Sequence, residues 1–457
     1  MKSLIEHFII HAWNRKVTPR IHVQAGGLDL GCLVSDGKVL NTRVSIPQGK
    51  RPEHIAILGK TGQGKSFLLR HLAVQDIQAK RGFVFFDLHG DATPFLLGVL
   101  ANEERRTGED LSSQVVVIEP ADREYSVGLN VLERSPGEES FSQIAEFTEL
   151  LKRHWHLEFF GARTEELLRN SLFALSDNHL TLIELPALVT NAAFRAQCMR
   201  NVSNPEVRAY FEGRFNVVSD AMQSVFREAI LNKVSGFTSD PRFRHILGQQ
   251  RSTFSLLEAM DRGWFVILNL DKGRLGEQAV TLGSLLLAKL KNALFSRTQR
   301  RLFSFYCDEI QNLIAFDSGI DTLLSEARKF GIGIVSANQF LDQYPPHMRS
   351  AIFAIGTHIF FQLSSPDADK VSGALDGGKK LAEVLKNLPK RHMIIKSGSD
   401  HFRQAAVPDV MLPQNGYADL YRRIRQRYAT SRLEVERDIQ SRVPRVATTG
   451  ERLNDWE

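Results

Sequence analysis

The stretch GKTGQGKS at residues 59–66 combines the residue types and the spacing that bind the phosphates of a nucleotide. Glycines in such a loop let the backbone wrap until several N–H groups point at phosphate oxygens, and the following helix adds the positive end of its dipole. An apolar run, HIAIL, precedes the stretch and a helical pattern follows it. We therefore expect a phosphate-binding loop formed by Gly59, Lys60, Thr61, Gly62, Gln63, Gly64, Lys65 and Ser66.

Two side chains of this loop have distinct expected roles. The Lys65 ammonium reaches the β and γ phosphates, and the Ser66 hydroxyl is a ligand for Mg²⁺. The pattern therefore predicts that the chain binds a nucleotide together with Mg²⁺.

A pair of carboxylates, Asp308 and Glu309, ends the apolar run FSFYCDE. A phosphate-binding loop needs a carboxylate that holds Mg²⁺ through its water shell, and Asp308 fits this role. Glu309 beside it could polarise the attacking water as a general base. The alternative is an ordinary strand that ends in two solvated acids.

Two further polar residues, Arg328 and Gln339, flank the apolar strand predicted at 333–337. Side chains at the carboxyl end of a strand face the ligand crevice of an α/β sheet, so Gln339 could sense the γ phosphate. Arg328 precedes the strand, on the side away from the chain's own loop. It is either a solvated helix terminus or an arginine finger that enters the site of the next subunit.

Predicted strands and helices, which must position these residues, alternate along much of the chain. Apolar runs such as GFVFFD and QVVVIEP are separated by helical patterns, which predicts a parallel sheet covered by helices on both faces. Between about 134 and 248 the patterns are helical, with almost no strand signal. We predict an α/β fold with small N-terminal β elements and an inserted all-α domain. The expected divisions are an N-terminal helix with small β elements at 1–50, a nucleotide-binding domain at 51–133 and 249–413, the all-α domain at 134–248, and an arginine-rich helical tail at 414–457.

The composition of the 457 residues is 43% apolar and 24% charged, which is typical of a globular protein. The net charge of +6 suits a nucleic-acid partner, although many proteins without such a partner share it. The stretch LIEHFIIHAW is shorter than the roughly 20 apolar residues that span a bilayer, so we expect no membrane span. The arginines in LYRRIRQRYATSR form either a solvated helix face or a docking surface for DNA or a partner.

Eight segments, taken in chain order, resemble a known family. They are GKTGQGKS, FFDLHGD, EPADREYSVGLNVLE, SDPRFRHILGQ, LNLDKGRLGEQ, CDEIQNL, SEARKFGIGIVSANQFLDQYPP and IGTHIFFQLSSPDAD. Across about residues 30–400 the chain resembles the type IV secretion coupling proteins and their soluble relatives in the HerA–FtsK class of motor ATPases. The run from Asp308 to Asp369 is the most specific part of the resemblance.

The resemblance implies a RecA-like domain, ATP and Mg²⁺ as ligands, a hexameric ring and ATP-driven movement of DNA through its centre. By motif match it also implies roles for individual residues: nucleotide and Mg²⁺ binding for Lys65 and Ser66, a Walker B pair at Asp308 and Glu309, γ-phosphate sensing by Gln339, and a finger in trans from Arg328.

We therefore expect a DNA-translocating ATPase of conjugative DNA transfer, located in the cytoplasm and recruited to the inner membrane by a partner. Its expected partners are the DNA phosphate backbone, further copies of the chain, and relaxosome or secretion-channel proteins. Two alternatives stay open. One is a HerA-like partner of a nuclease in DNA repair or phage defence, and the other is a nucleotide-gated scaffold that hydrolyses little ATP. Glu309 and Arg328 argue against the scaffold, which needs neither a catalytic carboxylate nor a finger.

Overall fold

The computed structural model describes residues 27–134, 140–154, 161–314, 320–344, 346–410, 412–413 and 416–443. They form two compact units, one from 27–120 and 254–428 and the other from 121–253 and 429–443. The expected N-terminal helix lies outside the described residues. The domain boundaries expected from the sequence stay predictions.

The strands of the described residues are numbered in chain order. They are β1 (Gly27–Ser35), β2 (Lys38–Pro47), β3 (Ile55–Leu58), β4 (Phe83–Asp87), β5 (Val115–Ile118), β6 (Tyr125–Val127), β7 (Phe265–Asn269), β8 (Phe303–Asp308), β9 (Ile332–Asn338), β10 (Thr357–Phe360), β11 (His392–Ser397), β12 (Arg403–Ala406) and β13 (Ala429–Ser431).

The α-helices of the same residues are numbered likewise. They are α1 (Lys65–Gln78), α2 (Ala92–Thr107), α3 (Ser140–His154), α4 (Ala162–Asp177), α5 (Leu185–Thr190), α6 (Ala192–Met199), α7 (Pro205–Tyr210), α8 (Asp220–Thr238), α9 (Pro241–Leu247), α10 (Leu256–Arg262), α11 (Lys272–Leu275), α12 (Glu277–Phe295), α13 (Gln311–Ile314), α14 (Ile320–Glu326), α15 (Pro346–Phe353), α16 (Ser365–Ala374), α17 (Gly378–Lys386), α18 (Ala418–Tyr428) and α19 (Arg432–Arg442). Within this part of the chain, no helix combines the length and the apolar character that crossing a bilayer requires.

The first unit is built on one sheet of 11 strands. Its central strands run parallel in the order β5, β7, β4, β8, β9, β3, β10. Beyond β10 the sheet continues with antiparallel strands in the order β11, β12, β1, β2. Every residue of β4 and β8 is buried, as continuous apolar runs predict for a sheet covered on both faces. The predicted α/β fold with a parallel core is confirmed.

The position of β9 decides which loops meet at the carboxyl end of the sheet. β9 lies between β3 and β8, with Asn338 beside Leu58 of β3 and Ala337 beside Asp308 of β8. The three strands therefore end at nearly the same level. The loop after β3, the acids at the end of β8 and the polar residues at the end of β9 are brought together by this register.

The second unit is predominantly helical, and it contains α3 to α9 and α19. Its strands β6 and β13 pair antiparallel in a two-stranded sheet. Several of its helices begin with a side-chain cap, such as Asn191 before α6 and Ser219 before α8. Such caps satisfy backbone N–H groups that have no partner within the helix.

A buried ionic cluster joins α1 to β8 within the first unit. Arg51 lies in the 3-10 turn Gln48–Glu53 that precedes β3, and only 1% of its surface is exposed. Its guanidinium donates to both oxygens of Asp76 on α1, each at 2.6 Å. The Tyr306 hydroxyl of β8 also donates to Asp76, at 2.7 Å. This cluster fixes the helix that begins at the phosphate-binding loop against the strand that ends in the acids.

Three arginines of α18 are paired with acids of the same unit. Arg423 forms ion pairs with Glu104 and Asp110. Arg427 contacts Asp110 at 3.0 Å, and Arg422 pairs with Asp419. The contacts of Arg423 and Arg427 attach α18 to α2 and to the loop that follows α2.

Candidate functional site

The phosphate-binding loop joins β3 to α1 at the carboxyl end of the parallel strands. Gly62 and Gly64 have φ angles of 76° and 119°, in the left-handed region that favours glycine. At Gly59, a Cβ would lie 2.5 Å from the Cβ of Phe361. The path of the loop therefore requires glycine at these positions.

Lys65 is the first residue of α1, and its ammonium folds back over the loop. Nζ donates to the carbonyl oxygens of Gly59 at 2.6 Å and of Lys60 at 3.1 Å. Burial lowers the pKa of Lys65, whereas the carboxylates of Asp308 and Glu309 act in the opposite direction. The amine thus lies on the side of the loop that faces the two acids.

Backbone hydrogen bonds fix the rest of the loop against neighbouring segments. The Lys60 N–H donates to the carbonyl of Gln362 at 2.9 Å. The carbonyl of Gln63 accepts from the N–H of Arg391 at 2.8 Å. The loop is therefore held in shape by the segment that follows β10 and by the segment that precedes β11.

Asp308 ends β8 and contacts the start of α1 directly. One of its carboxylate oxygens accepts a hydrogen bond from the Ser66 hydroxyl at 2.7 Å. Burial raises the pKa of Asp308, and the bond from Ser66 and the charge of Lys65 oppose this rise. The two oxygen groups predicted to serve Mg²⁺ therefore lie side by side.

Glu309 follows Asp308 with a φ of 56°, an uncommon backbone conformation for a residue other than glycine. Its N–H donates to the carbonyl of Ala337 at 2.8 Å, which fixes this turn at the end of β8. Its carboxylate accepts from the Gln339 side-chain amide at 2.7 Å. Strained residues of this kind cluster at functional sites, and here the strain directs a carboxylate to the end of the next strand.

Gln339 connects the acids to the phosphate-binding loop. While its amide nitrogen donates to Glu309, its amide oxygen accepts from the Thr61 hydroxyl at 2.8 Å. The Gln339 N–H donates in turn to the side chain of Gln343, at 2.8 Å. Thr61, Gln339 and Glu309 therefore form one continuous chain of hydrogen bonds.

These side chains surround a cavity of about 510 Å³. Its groups fit a nucleoside triphosphate with Mg²⁺, because a glycine-rich loop can direct backbone N–H groups at phosphates and Lys65 supplies a cation. The Ser66 hydroxyl and the Asp308 carboxylate present oxygen atoms, which are the ligands that Mg²⁺ prefers. Gln63 also has a buried side-chain oxygen without a partner among the described residues.

Arg328 does not reach this cavity. It lies in the 3-10 turn Ala327–Phe330, immediately before β9, and therefore at the amino end of the parallel strands. Its guanidinium is 3.1 Å from the Glu53 carboxylate, and 63% of its side chain is exposed. Of the predicted catalytic residues, Lys65, Glu309 and Gln339 come together within one chain, and Arg328 is separate from them.

Sequence reasoning missed several residues that line the cavity. They are Phe67, Arg70, His89, Asp91, Lys390 and Arg391. A signal for His89 and Asp91 existed, because the segment FFDLHGD places them just after a predicted strand. Lys390 and Arg391 gave no such signal. They precede an antiparallel strand, and the spacing of residues does not indicate which strand it pairs with.

Residues 37–289 match the family model described as helicase HerA, central domain. No curated protein matched the chain. The family match and the segments that resemble motor ATPases cover overlapping parts of the sequence.

Solved structures share the fold. The plasmid coupling protein TrwB with the ATP analogue ADPNP gives a TM-score of 0.61 at 16% identity, over 89% of this chain and 94% of that chain. TrwB with the GTP analogue GDPNP gives a TM-score of 0.58 at 17% identity, over 86% of this chain and 98% of that chain. VirB4 of Thermoanaerobacter pseudethanolicus gives a TM-score of 0.55 at 14% identity, over 85% of this chain and 98% of that chain. The predicted RecA-like architecture is confirmed by these similarities.

Proposed function

Because the chain belongs to the family of the HerA helicase central domain, we propose that it is a Mg²⁺-dependent ATPase that moves DNA. The observation that carries this proposal is a set of three hydrogen bonds at the site. Ser66 donates to Asp308, and Gln339 links Glu309 to Thr61. The loop that would hold the phosphates is thereby connected to the carboxylate that would activate water.

The proposed chemistry assigns one task to each side chain. Lys65 would hold the β and γ phosphates, and Glu309 would accept a proton from the water that attacks the γ phosphorus. Mg²⁺, held by Ser66 and through water by Asp308, would neutralise charge on the phosphates. Gln339 contacts both Glu309 and Thr61, so its position would respond to the presence of the γ phosphate.

ATP and Mg²⁺ as ligands have further support from the solved structures. TrwB has been solved with ADPNP and with ADP and Mg²⁺. The cavity of this chain presents the groups that such ligands need, as described above.

Arg328 would complete the site of a neighbouring copy. It is exposed, it has one acidic partner in Glu53, and it lies at the end of the strands away from the chain's own loop. A guanidinium inserted from a second copy would stabilise charge that develops on the phosphoryl group. Hydrolysis would then depend on assembly, and a closed ring, which we propose is a hexamer, supplies one finger to every site.

The cellular role that we propose is DNA transfer in conjugation, with DNA held through its phosphate backbone. Its support is the fold shared with the plasmid coupling protein TrwB and with VirB4. A second candidate is a HerA-type translocase that serves a nuclease, and the family match favours it. Relaxosome or secretion-channel proteins would be the partners in the first case and a nuclease in the second.

The function is tested by the rate of ATP hydrolysis with Mg²⁺, measured with and without duplex or single-stranded DNA. We expect DNA to raise the rate, and added salt to reduce this effect because binding to phosphates releases counterions. A rate that no nucleic acid changes would contradict the motor and favour the assembly scaffold.

Two variants separate binding from hydrolysis in the same assay. Lys65→Ala should lose both nucleotide binding and turnover, because backbone amides cannot replace its charge. Glu309→Gln should bind ATP and lose turnover by roughly 10²- to 10⁴-fold, as removal of a general base predicts. Normal turnover by either variant would contradict the role given to that residue.

A further inference from the structure

A guanidinium lies over an aromatic ring at the cavity, next to the phosphate-binding loop. The Arg391 Cζ is 4.3 Å from the centre of the Phe67 ring, within the range of a cation–π contact. Both residues line the cavity, and 37% of Phe67 is exposed. The Phe67 ring is therefore partly open to the cavity. We call the two side chains the Phe67–Arg391 platform.

The backbone of Arg391 is fixed against the loop. Its φ is 63°, in the left-handed region that a residue with a side chain rarely adopts. Its N–H donates to Gln63 at 2.8 Å, and its carbonyl accepts from Val407 at 2.9 Å. A Cβ on Gly64 would lie 3.4 Å from the Cγ of Arg391, so the two segments are in close contact. The position of the guanidinium is thus set by the same loop that would hold the phosphates.

The charge of Arg391 already has a partner. Its guanidinium forms an ion pair with Asp409, whose side chain is exposed. A guanidinium that is neutralised on its edge can still stack through its flat face. Arg391 is therefore better suited to contact a planar group than to bind a phosphate.

We propose that the Phe67–Arg391 platform stacks the base of the bound nucleotide, an inference that rests on the proposed ATP binding. Phe67 directly follows Ser66, so it comes after the residues assigned to the phosphates and Mg²⁺. The base is the planar part of the ligand, and it extends beyond the α phosphate. Bases stack on aromatic rings and on arginine without regard to their identity, because every base has a π face.

The same geometry limits discrimination between bases. Among the described residues that line the cavity, the one amide side chain is that of Gln339, and it is engaged by Thr61 and Glu309. Amide side chains are suited to reading the hydrogen-bonding edge of a base, and each good edge contact changes affinity severalfold or more. The platform should therefore accept adenine and guanine with affinities that differ by only a few-fold.

The experiment compares the affinity for ATP with the affinity for inorganic tripolyphosphate, both with Mg²⁺, by calorimetric titration of the full chain. Arg391→Ala should weaken ATP roughly tenfold, as loss of one stacking contact predicts, and leave tripolyphosphate unchanged. Arg391→Lys keeps the charge and loses the flat face, so it should weaken ATP nearly as much. In parallel, Phe67→Tyr should retain ATP affinity and Phe67→Leu should lose it.

Three outcomes would overturn the platform: equal loss of ATP and tripolyphosphate in Arg391→Ala, full affinity in Arg391→Lys, or unchanged ATP affinity in both Arg391→Ala and Phe67→Leu. A preference for ATP over GTP beyond about tenfold would overturn the lack of base discrimination. Failure of the proposed function is a different result. In that case the unaltered chain would bind neither ATP nor tripolyphosphate, or Lys65→Ala would bind both as well as the unaltered chain does.

Discussion

The two ends of the parallel strands differ in how their charged groups are arranged. At the carboxyl end, Lys65, Asp308 and Glu309 converge on one cavity, joined by hydrogen bonds through Ser66 and Gln339. At the amino end, Arg328 extends from the turn before β9 and forms an ion pair with Glu53, and most of its side chain is exposed. The first arrangement is assembled from residues of one chain. We propose that the second serves a site on another copy of the chain.

Burial explains why two arginines at the amino end differ so strongly. Arg51 and Glu53 belong to the same short turn before β3. Arg51 is buried and bonded to Asp76, so its charge is committed to the structure. Arg328 opposite Glu53 remains in solvent, where an ion pair contributes little. An exposed arginine can exchange one acidic partner for another at a small cost in free energy. A buried arginine cannot, because leaving its partner would strand both charges in the interior.

Among changes at the amino end of the strands, the largest effect is expected for Arg328→Ala. Turnover should fall roughly a thousandfold, the lower end of what arginine fingers contribute, and ATP binding should be retained. Steady-state hydrolysis and nucleotide binding measure the two effects. Lys329→Ala is the matched control, because Lys329 is exposed in the same turn and pairs with Glu326. Equal effects of the two substitutions would show that Arg328 acts only as a surface charge.

The next effect in size is a loss of stability, which we expect when Asp76 is changed to alanine. Burial alone would raise the pKa of this carboxyl, but Arg51, Tyr306 and Arg81 outweigh burial and hold the pKa below its ordinary value. Asp76→Ala leaves the Arg51 charge buried without its partner, and the free energy of unfolding should fall by about 3–5 kcal/mol. Denaturant unfolding measures this loss. The double change Arg51→Met with Asp76→Leu should recover most of the stability, and no recovery would contradict the account of a buried charge.

The smallest effect is expected for Glu53→Gln, which removes the partner of Arg328. The pair is largely exposed, so the free energy of unfolding should change by less than about 1 kcal/mol. Denaturant unfolding of the Glu53→Gln and Asp76→Ala variants under the same conditions compares the two losses of free energy directly. A loss as large as that of Asp76→Ala would mean that both arginines at this end are structural, and the contrast between them would disappear.

The residues that gather at the candidate site are the part of the molecule that the sequence indicates best, and their roles stay predictions. The loop at 59–66 and the acids at 308 and 309 could be read from residue types because phosphate and Mg²⁺ impose the same requirements in any chain. The parallel sheet followed from continuous apolar runs. The alternation of elements did not give the strand order, which places β9 between β3 and β8 and so brings Gln339 to Glu309 and Thr61.

Other features depend on contacts between distant residues, which spacing does not encode. Arg391 reaches the loop only because β11 pairs antiparallel with β10, and Arg51 pairs with Asp76 across 25 positions of sequence. For the arginines at the end of the chain, the sequence left a solvated face and a docking surface open. In the structure, Arg423 and Arg427 pair with acids of the same unit. Ion pairs of this kind depend on packing that no local pattern reveals.

The central claim, that the amino end of one copy completes the carboxyl end of another, is tested most directly by mixing two inactive variants. Arg328→Ala has an intact loop, and Lys65→Ala has an intact finger. In an equal mixture that assembles at random, up to about a quarter of the sites pair an intact loop with an intact finger from the neighbour. We predict that the mixture regains ATP hydrolysis up to about that fraction of the normal rate. Mixed assemblies that demonstrably contain both variants and remain as inactive as either one alone would contradict the account.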